Sequence, residues 1–127
     1  MKKLLVLMIC SSIFISCSNS NDTTGITGVP QGNWRISLYW DNTDETSDFN
    51  DYTFTFGSNN VITATNGVNT VTGTFSQASN KLIIDFGTDP LLEELNDDWL
   101  VEEKTDNSIK LKEDNPAQDD RLEFIRI

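Results

Sequence analysis

The chain has 127 residues, with nine Lys and Arg against 20 Asp and Glu, a formal net charge of −11 and no histidine. The length allows one small domain. The missing histidine excludes Ser-His-Asp and Cys-His catalysis and any metal or haem site built on imidazole. The acidic balance argues against nucleic acid as a partner, because duplex binding depends on Lys and Arg neutralising phosphates.

The first predicted element is an export signal over residues 1–16. Lys2 and Lys3 precede a largely apolar run over residues 4–15, and small and polar residues follow it. A basic start, a short apolar middle and small residues at the end are typical of a secretory signal. A membrane-spanning helix needs about 20 apolar residues, and this run is shorter.

Cys17 follows the apolar run directly, after Ile15 and Ser16. This segment resembles the bacterial lipobox, in which the signal is cut before the cysteine and the cysteine then carries a lipid. The resemblance implies a membrane partner through lipid on Cys17. It also implies an exported protein anchored in the bacterial outer membrane, on the periplasmic or the surface face. The alternative is an ordinary secretory signal cut near Ser16 or Ser18, which leaves the protein unanchored.

Cleavage before Cys17 would change the charge of the mature protein. It would remove two lysines and no acidic residue, which leaves seven Lys and Arg against 20 acids and a charge of −13. Residues 17–31 are rich in Ser, Asn, Thr and Gly, a composition that predicts a flexible tether. The folded domain is therefore expected over residues 32–127.

Apolar and polar residues alternate through most of residues 32–127, which is typical of strands with one buried and one solvated face. In the first strand the alternation places Trp34, Ile36, Leu38 and Trp40 on one face and Tyr39 on the other. The clearest alternating segments are residues 34–40, 52–56, 82–86, 99–102, 109–112 and 122–127.

Asn66-Gly67 predicts a two-residue type I′ turn in the middle of the domain, because both turn positions of that type need a positive φ. This turn would pair Thr65 with Val68. It would place Ala64 on the inner face of the hairpin and a row of threonines on the outer face. One short helix is predicted further on, over residues 89–95, with Thr88 or Asp89 as its cap, a proline in the first turn and three leucines.

Together these elements predict an all-β fold: a small antiparallel up-and-down barrel or half-barrel of about eight strands, with one short helix. Short connections favour a meander, and curling of the sheet covers its edges. A two-sheet sandwich is the alternative, although sandwiches usually need longer crossing connections.

Gly32-Asn33-Trp34 opens the first strand and resembles the Gly-x-Trp of lipocalins and fatty-acid-binding proteins. With the lipobox, the chain resembles the small lipocalin-like lipoproteins of Bacteroidetes over about residues 32–127. The resemblance implies a barrel whose bottom is closed by Trp34 beside Gly32, with Arg126 or Arg121 packed over the indole. True lipocalins are longer and carry their helix after the strands, and both differences argue against a large internal cavity.

Three aromatic residues near the barrel mouth, Trp40, Tyr52 and Trp99, are candidate ligand contacts. Core packing is the competing interpretation, because a domain of this size has little space beside its aromatic side chains. The first functional hypothesis is therefore binding of a small apolar molecule or a glycan. The second is a protein-interaction module, an inhibitor or an assembly partner, with a filled barrel. We expect a monomer in either case.

The acidic residues cluster in loops, but none of these loops matches the EF-hand pattern. We expect a solvated acidic surface, with neither metal nor cofactor; calcium bound by the acidic loops is the alternative. The acids single out no carboxylate pair for glycoside hydrolysis, and no base accompanies the many serines and threonines. The sequence therefore predicts no catalytic residue and no enzymatic activity.

Overall fold

The computed structural model describes residues 29–127, so the predicted export signal, Cys17 and most of the predicted tether lie outside the described residues. Eight antiparallel strands follow one another around a closed barrel, and the last strand pairs with the first. The strands are β1 (Asn33–Trp40), β2 (Thr53–Phe56), β3 (Val61–Thr65), β4 (Thr70–Ala78), β5 (Lys81–Asp85), β6 (Asp97–Lys104), β7 (Ser108–Glu113) and β8 (Arg121–Arg126).

The closed barrel confirms the predicted all-β up-and-down fold and decides between the barrel and the half-barrel. Every strand has two neighbours, so closure leaves no open sheet edge. Over residues 29–127 the helical segments are three short 3₁₀ turns, Thr46–Phe49, Ser58–Asn60 and Leu92–Leu95. In this part of the chain no helix is both long and apolar enough to span a bilayer.

The predicted short helix over residues 89–95 is reduced to the 3₁₀ turn Leu92–Leu95. Asp89 Oδ1 accepts hydrogen bonds from the backbone N–H groups of Leu91 and Leu92, as a capping residue does, but the turn itself begins only at Leu92. Its end is drawn back toward β5 by Asn96, whose side chain bonds the backbone of Phe86 and Gly87. This connection leaves length for one turn only.

Large apolar side chains fill the interior of the barrel. Phe124 packs edge-to-face on Phe54 and Phe56, with ring centroids 5.4 and 5.5 Å apart. Trp34 and Trp99 are also enclosed, at 0% and 1% exposure. These side chains pack against one another, as is usual in protein interiors, so the described strands enclose a hydrophobic core.

A β-bulge in β1 reverses the side-chain pattern in the second half of that strand. The pairing of β1 with β8 shifts register between Ile36 and Leu38. A bulge adds one unpaired residue and so exchanges the two faces beyond it. Tyr39 is therefore buried, and its hydroxyl donates to the Glu94 carbonyl at 2.9 Å. The predicted inward position of Trp40 is wrong, since its side chain is half-buried on the other face.

The hairpin between β3 and β4 has a four-residue loop and not the predicted two-residue turn. Thr65 pairs with Thr70, and the loop closes when Asn66 Oδ1 accepts hydrogen bonds from the backbone N–H groups of Val68 and Asn69. The predicted register is thus wrong by two residues. Because this shift is even, the apolar inner face and the threonine outer face are as predicted.

Candidate functional site

Every second connection of an up-and-down barrel lies at the same end, so the connections form two groups, one at each end of the barrel. The tether end holds the start of β1, next to Val29. It also holds the short turns over residues 57–60, 79–80 and 105–107. The loop end, on the opposite side, holds the connections over residues 41–52, 66–69, 86–96 and 114–120.

Gly32, Trp34 and Arg126 meet at the tether end. The guanidinium carbon of Arg126 lies 5.4 Å from the centroid of the Trp34 ring, a cation–π contact. Nη1 of Arg126 also donates to the Asp106 carbonyl at 3.0 Å. Gly32 has a φ of 124°, and a Cβ there would lie 2.8 Å from Nη2 of Arg126. Arg121, by contrast, pairs with a glutamate on β6, so Arg126 is the residue that covers Trp34.

The three candidate ligand contacts lie in different surroundings. Trp99 is enclosed in the core, and its Nε1–H donates to the Leu95 carbonyl at 3.0 Å. Tyr52 is half-buried with its ring 6.2 Å from that of Phe54. Trp40 is half-buried at the end of β1. Three surface depressions formed by described residues have other linings, so these depressions do not unite the three aromatic residues.

The loop end is strongly acidic. Its connections over residues 41–52, 86–96 and 114–120 carry five, three and three Asp and Glu respectively, eleven in all, and no Lys or Arg. All seven Lys and Arg of residues 29–127 lie in strands, and the turns of the tether end carry one acid, Asp106. The domain is therefore polarised, with negative charge concentrated away from the end where the N-terminal segment leaves it.

Acidic groups of one loop lie close enough to raise the pKa of a carboxyl group in another loop. Burial raises the pKa of Glu94, and the charges of Glu45 and Asp48 from another loop raise it further. Burial likewise raises the pKa of Asp120, and the charge of Asp41 adds to this shift. Like charges of separate loops thus repel each other across the loop end.

Two carboxyl groups point into the barrel at the loop end. Asp97 pairs with the buried Ile84, and Glu113 pairs with the buried Trp99; since directly opposed residues share a face of the sheet, both carboxyls face inward. The pKa of Asp97 is raised from 3.8 to about 7, chiefly by burial and also by its hydrogen bond with Glu113. Asp97 therefore still holds a proton over part of the range near neutral pH.

The carboxylate oxygens of Asp97, Asp98 and Glu113 lie within 4.8 Å of one another, so these residues could hold a hard cation such as calcium. Lys81 already neutralises part of this charge, with its Nζ 3.3 Å from Asp98 and 2.6 Å from Asp114. The raised pKa of Asp97 removes part of a further charge near neutral pH. The group is thus partly balanced without a cation, and the expected absence of a metal stays a prediction.

Comparison of the chain with protein-family models, curated proteins and solved structures finds no match. The likeness to lipocalin-like lipoproteins therefore remains a resemblance carried by Cys17 and by Gly32-Asn33-Trp34. The features that bear on function are the filled interior, the acidic loop end and the Trp34–Arg126 contact at the tether end.

Proposed function

We propose that this chain is a non-catalytic binding module, exported and held at the bacterial outer membrane by lipid on Cys17, that recognises a protein partner through its outer surface. The filled interior supports this proposal most directly. Trp34, Trp99 and Phe124 lie at 0–1% exposure within the barrel and take the space that an internal apolar ligand would need. Between the two functional hypotheses, this packing favours the protein-interaction module.

The distribution of charge favours the loop end as the recognition surface. The eleven acids of that end lie opposite the end where the chain enters β1 at Asn33. A tether attached to a membrane at Cys17 would therefore leave the loop end pointing outward. Complementary charge speeds encounter and selects among partners, so we propose a partner whose contact surface is rich in Lys and Arg.

Replacing Cys17 with serine is expected to release the protein from membranes, because serine cannot carry the thioether-linked lipid of the lipobox. Cys10→Ser is the matched control, since Cys10 lies inside the apolar run of the export signal. Fractionation of cells that express each variant measures the membrane-bound share. If Cys17→Ser stays membrane-bound at the wild-type level, lipid anchoring is disproved.

Removing four of the five negative charges of the β1–β2 loop is expected to weaken partner binding by about tenfold, since such a change reduces the charge complementarity of the surface. The test variant of the full-length chain carries D41N, E45Q, D48N and D51N. The control removes four charges elsewhere and carries D85N, E103Q, D106N and E123Q. Chemical crosslinking in the native envelope, followed by mass spectrometry, compares the recovery of the crosslinked partner. Equal recovery with both variants would contradict recognition at the loop end.

A further inference from the structure

We infer that the tether end of the barrel carries a binding site for a neutral saccharide, separate from the proposed partner surface. The site is an open depression of about 430 Å³ between the β2–β3 turn and the β4–β5 turn. This volume falls within the range of about 300–1,000 Å³ that is usual for small-ligand sites. Val29 and Gln31 border it where the N-terminal segment enters the barrel.

Gln77, one of the residues that line this depression, carries an unpaired hydrogen-bond donor. Gln77 pairs with Leu82, and because Leu82 is buried inside the barrel, the Gln77 side chain also turns toward the interior. Its Oε1 accepts a hydrogen bond from Lys104 Nζ at 3.5 Å. Its Nε2 is buried, and no residue within 29–127 offers it an acceptor. Buried amide groups are rarely left unpaired, so a bound oxygen acceptor would complete this site.

The lining of the depression fits a sugar better than an ion or an apolar molecule. It contains no charged side chain, although the chain as a whole is strongly acidic. The amides and hydroxyls of Asn59, Asn60 and Ser79 can both donate and accept hydrogen bonds. Phe75 offers an apolar surface, held edge-to-face at 5.2 Å by Phe56. Sugar hydroxyls would form hydrogen bonds with the side-chain amides, and the C–H face of the sugar ring would pack on Phe75.

The backbone around the depression is held in an unusual conformation. Four residues other than glycine have a positive φ within the described part of the chain, and three of them, Asn59, Asn60 and Ser79, line this depression, with φ of 60°, 61° and 58°. Such conformations cost free energy and concentrate at functional sites. The fourth residue, Asn42, lies at the loop end and supplies a control position.

Titration of the ¹⁵N-labelled full-length chain with triacetylchitotriose, maltotriose and cellotriose tests the inference. We expect a saturable shift of the Gln77 side-chain amide and of the Gly57 and Ser79 backbone amides with at least one of these sugars. Gln77→Leu should weaken that binding by about tenfold. The same variant should keep or raise the thermal midpoint, because it removes a buried unpaired donor. No shift with any of the three sugars would overturn the inference.

Asn59→Gly and Asn42→Gly form a matched pair, because glycine keeps the left-handed backbone and removes the amide in both. We expect Asn59→Gly alone to weaken saccharide binding. Equal effects of the two variants would overturn the site. A Gln77 side-chain amide signal that does not shift with any sugar but shifts when residues 18–28 are deleted would also overturn the site. In that case the chain itself would occupy the depression. The variant with four charges removed from the β1–β2 loop should bind the saccharide as tightly as the wild type. Failure of the partner proposal and failure of the saccharide proposal can therefore be told apart.

Discussion

Replacing Trp34 with alanine is expected to lower the free energy of unfolding by about 3–5 kcal/mol. The indole is fully buried, its Nε1–H donates to the Pro30 carbonyl at 3.3 Å, and its face carries the guanidinium of Arg126. Truncation would leave a cavity at the tether end and remove the surface on which Arg126 packs. Urea denaturation followed by circular dichroism measures the loss.

Trp40→Ala is the matched control, because Trp40 lies on the same strand beyond the bulge and is half-buried. We expect it to cost about 1 kcal/mol, in the range of ordinary surface and boundary substitutions. An equal loss of unfolding free energy in the two variants would contradict the bulge in β1, which turns Trp40 away from the interior. A smaller loss from Trp34→Ala than from Trp40→Ala would contradict the closure of the tether end by Trp34.

Asp97→Asn is expected to stabilise the protein above neutral pH. The pKa of Asp97 is raised from 3.8 to about 7, chiefly by burial and also by the hydrogen bond with Glu113. Between these values the folded protein binds more protons than the unfolded chain, so the free energy of unfolding falls as pH rises from about 4 to about 7. The full shift corresponds to about 4 kcal/mol. Partial exposure of the carboxyl screens this to about 1–2 kcal/mol.

Thermal unfolding of wild type and Asp97→Asn at pH 5 and pH 8 measures this effect. The wild type should lose stability between the two pH values, and the variant should lose less. Asp51→Asn removes the same charge from an exposed loop position and should keep the wild-type pH dependence. If Asp97→Asn is no more stable than the wild type at pH 8, the raised pKa of Asp97 is disproved.

Local pattern was enough to predict the barrel. Alternation and short turns carry the strand order, because each strand of an up-and-down barrel pairs with its neighbours in sequence. The outer row of threonines on β3 and β4 was also predictable, since the faces of a strand depend only on the period of two. These features need no information about distant contacts.

Features set by distant or competing contacts were not predictable. Three large residues stand together at Leu38-Tyr39-Trp40, and the choice of Tyr39 for the interior depends on the register with β8 and on the carbonyl of Glu94. Asn66-Gly67 favours a two-residue turn, but the two hydrogen bonds that the Asn66 side chain accepts from its own loop stabilise a four-residue loop instead. Periodicity alone does not weigh either contact.

Of the candidate sites, one was expected from the sequence and two were not. The meeting of Gly32, Trp34 and Arg126 was expected from the resemblance to lipocalins, and the structure brings these three residues together. The inward carboxyls of Asp97 and Glu113 were missed, although Asp97 lies two residues before Trp99 and so shares its face. Gln77 was missed because the inward position of its side chain depends on its pairing with Leu82 on β5.

The filled interior is tested most directly by titrating the full-length chain with cis-parinaric acid, an apolar fluorescent fatty acid, while the methyl NMR signals of Leu82, Ile84 and Leu111 are recorded. These three residues are buried in the core at 0–1% exposure. We predict no saturable binding and no shift of the three signals. Saturable one-to-one binding that moves them would show a ligand inside the barrel and contradict a module that acts through its outer surface.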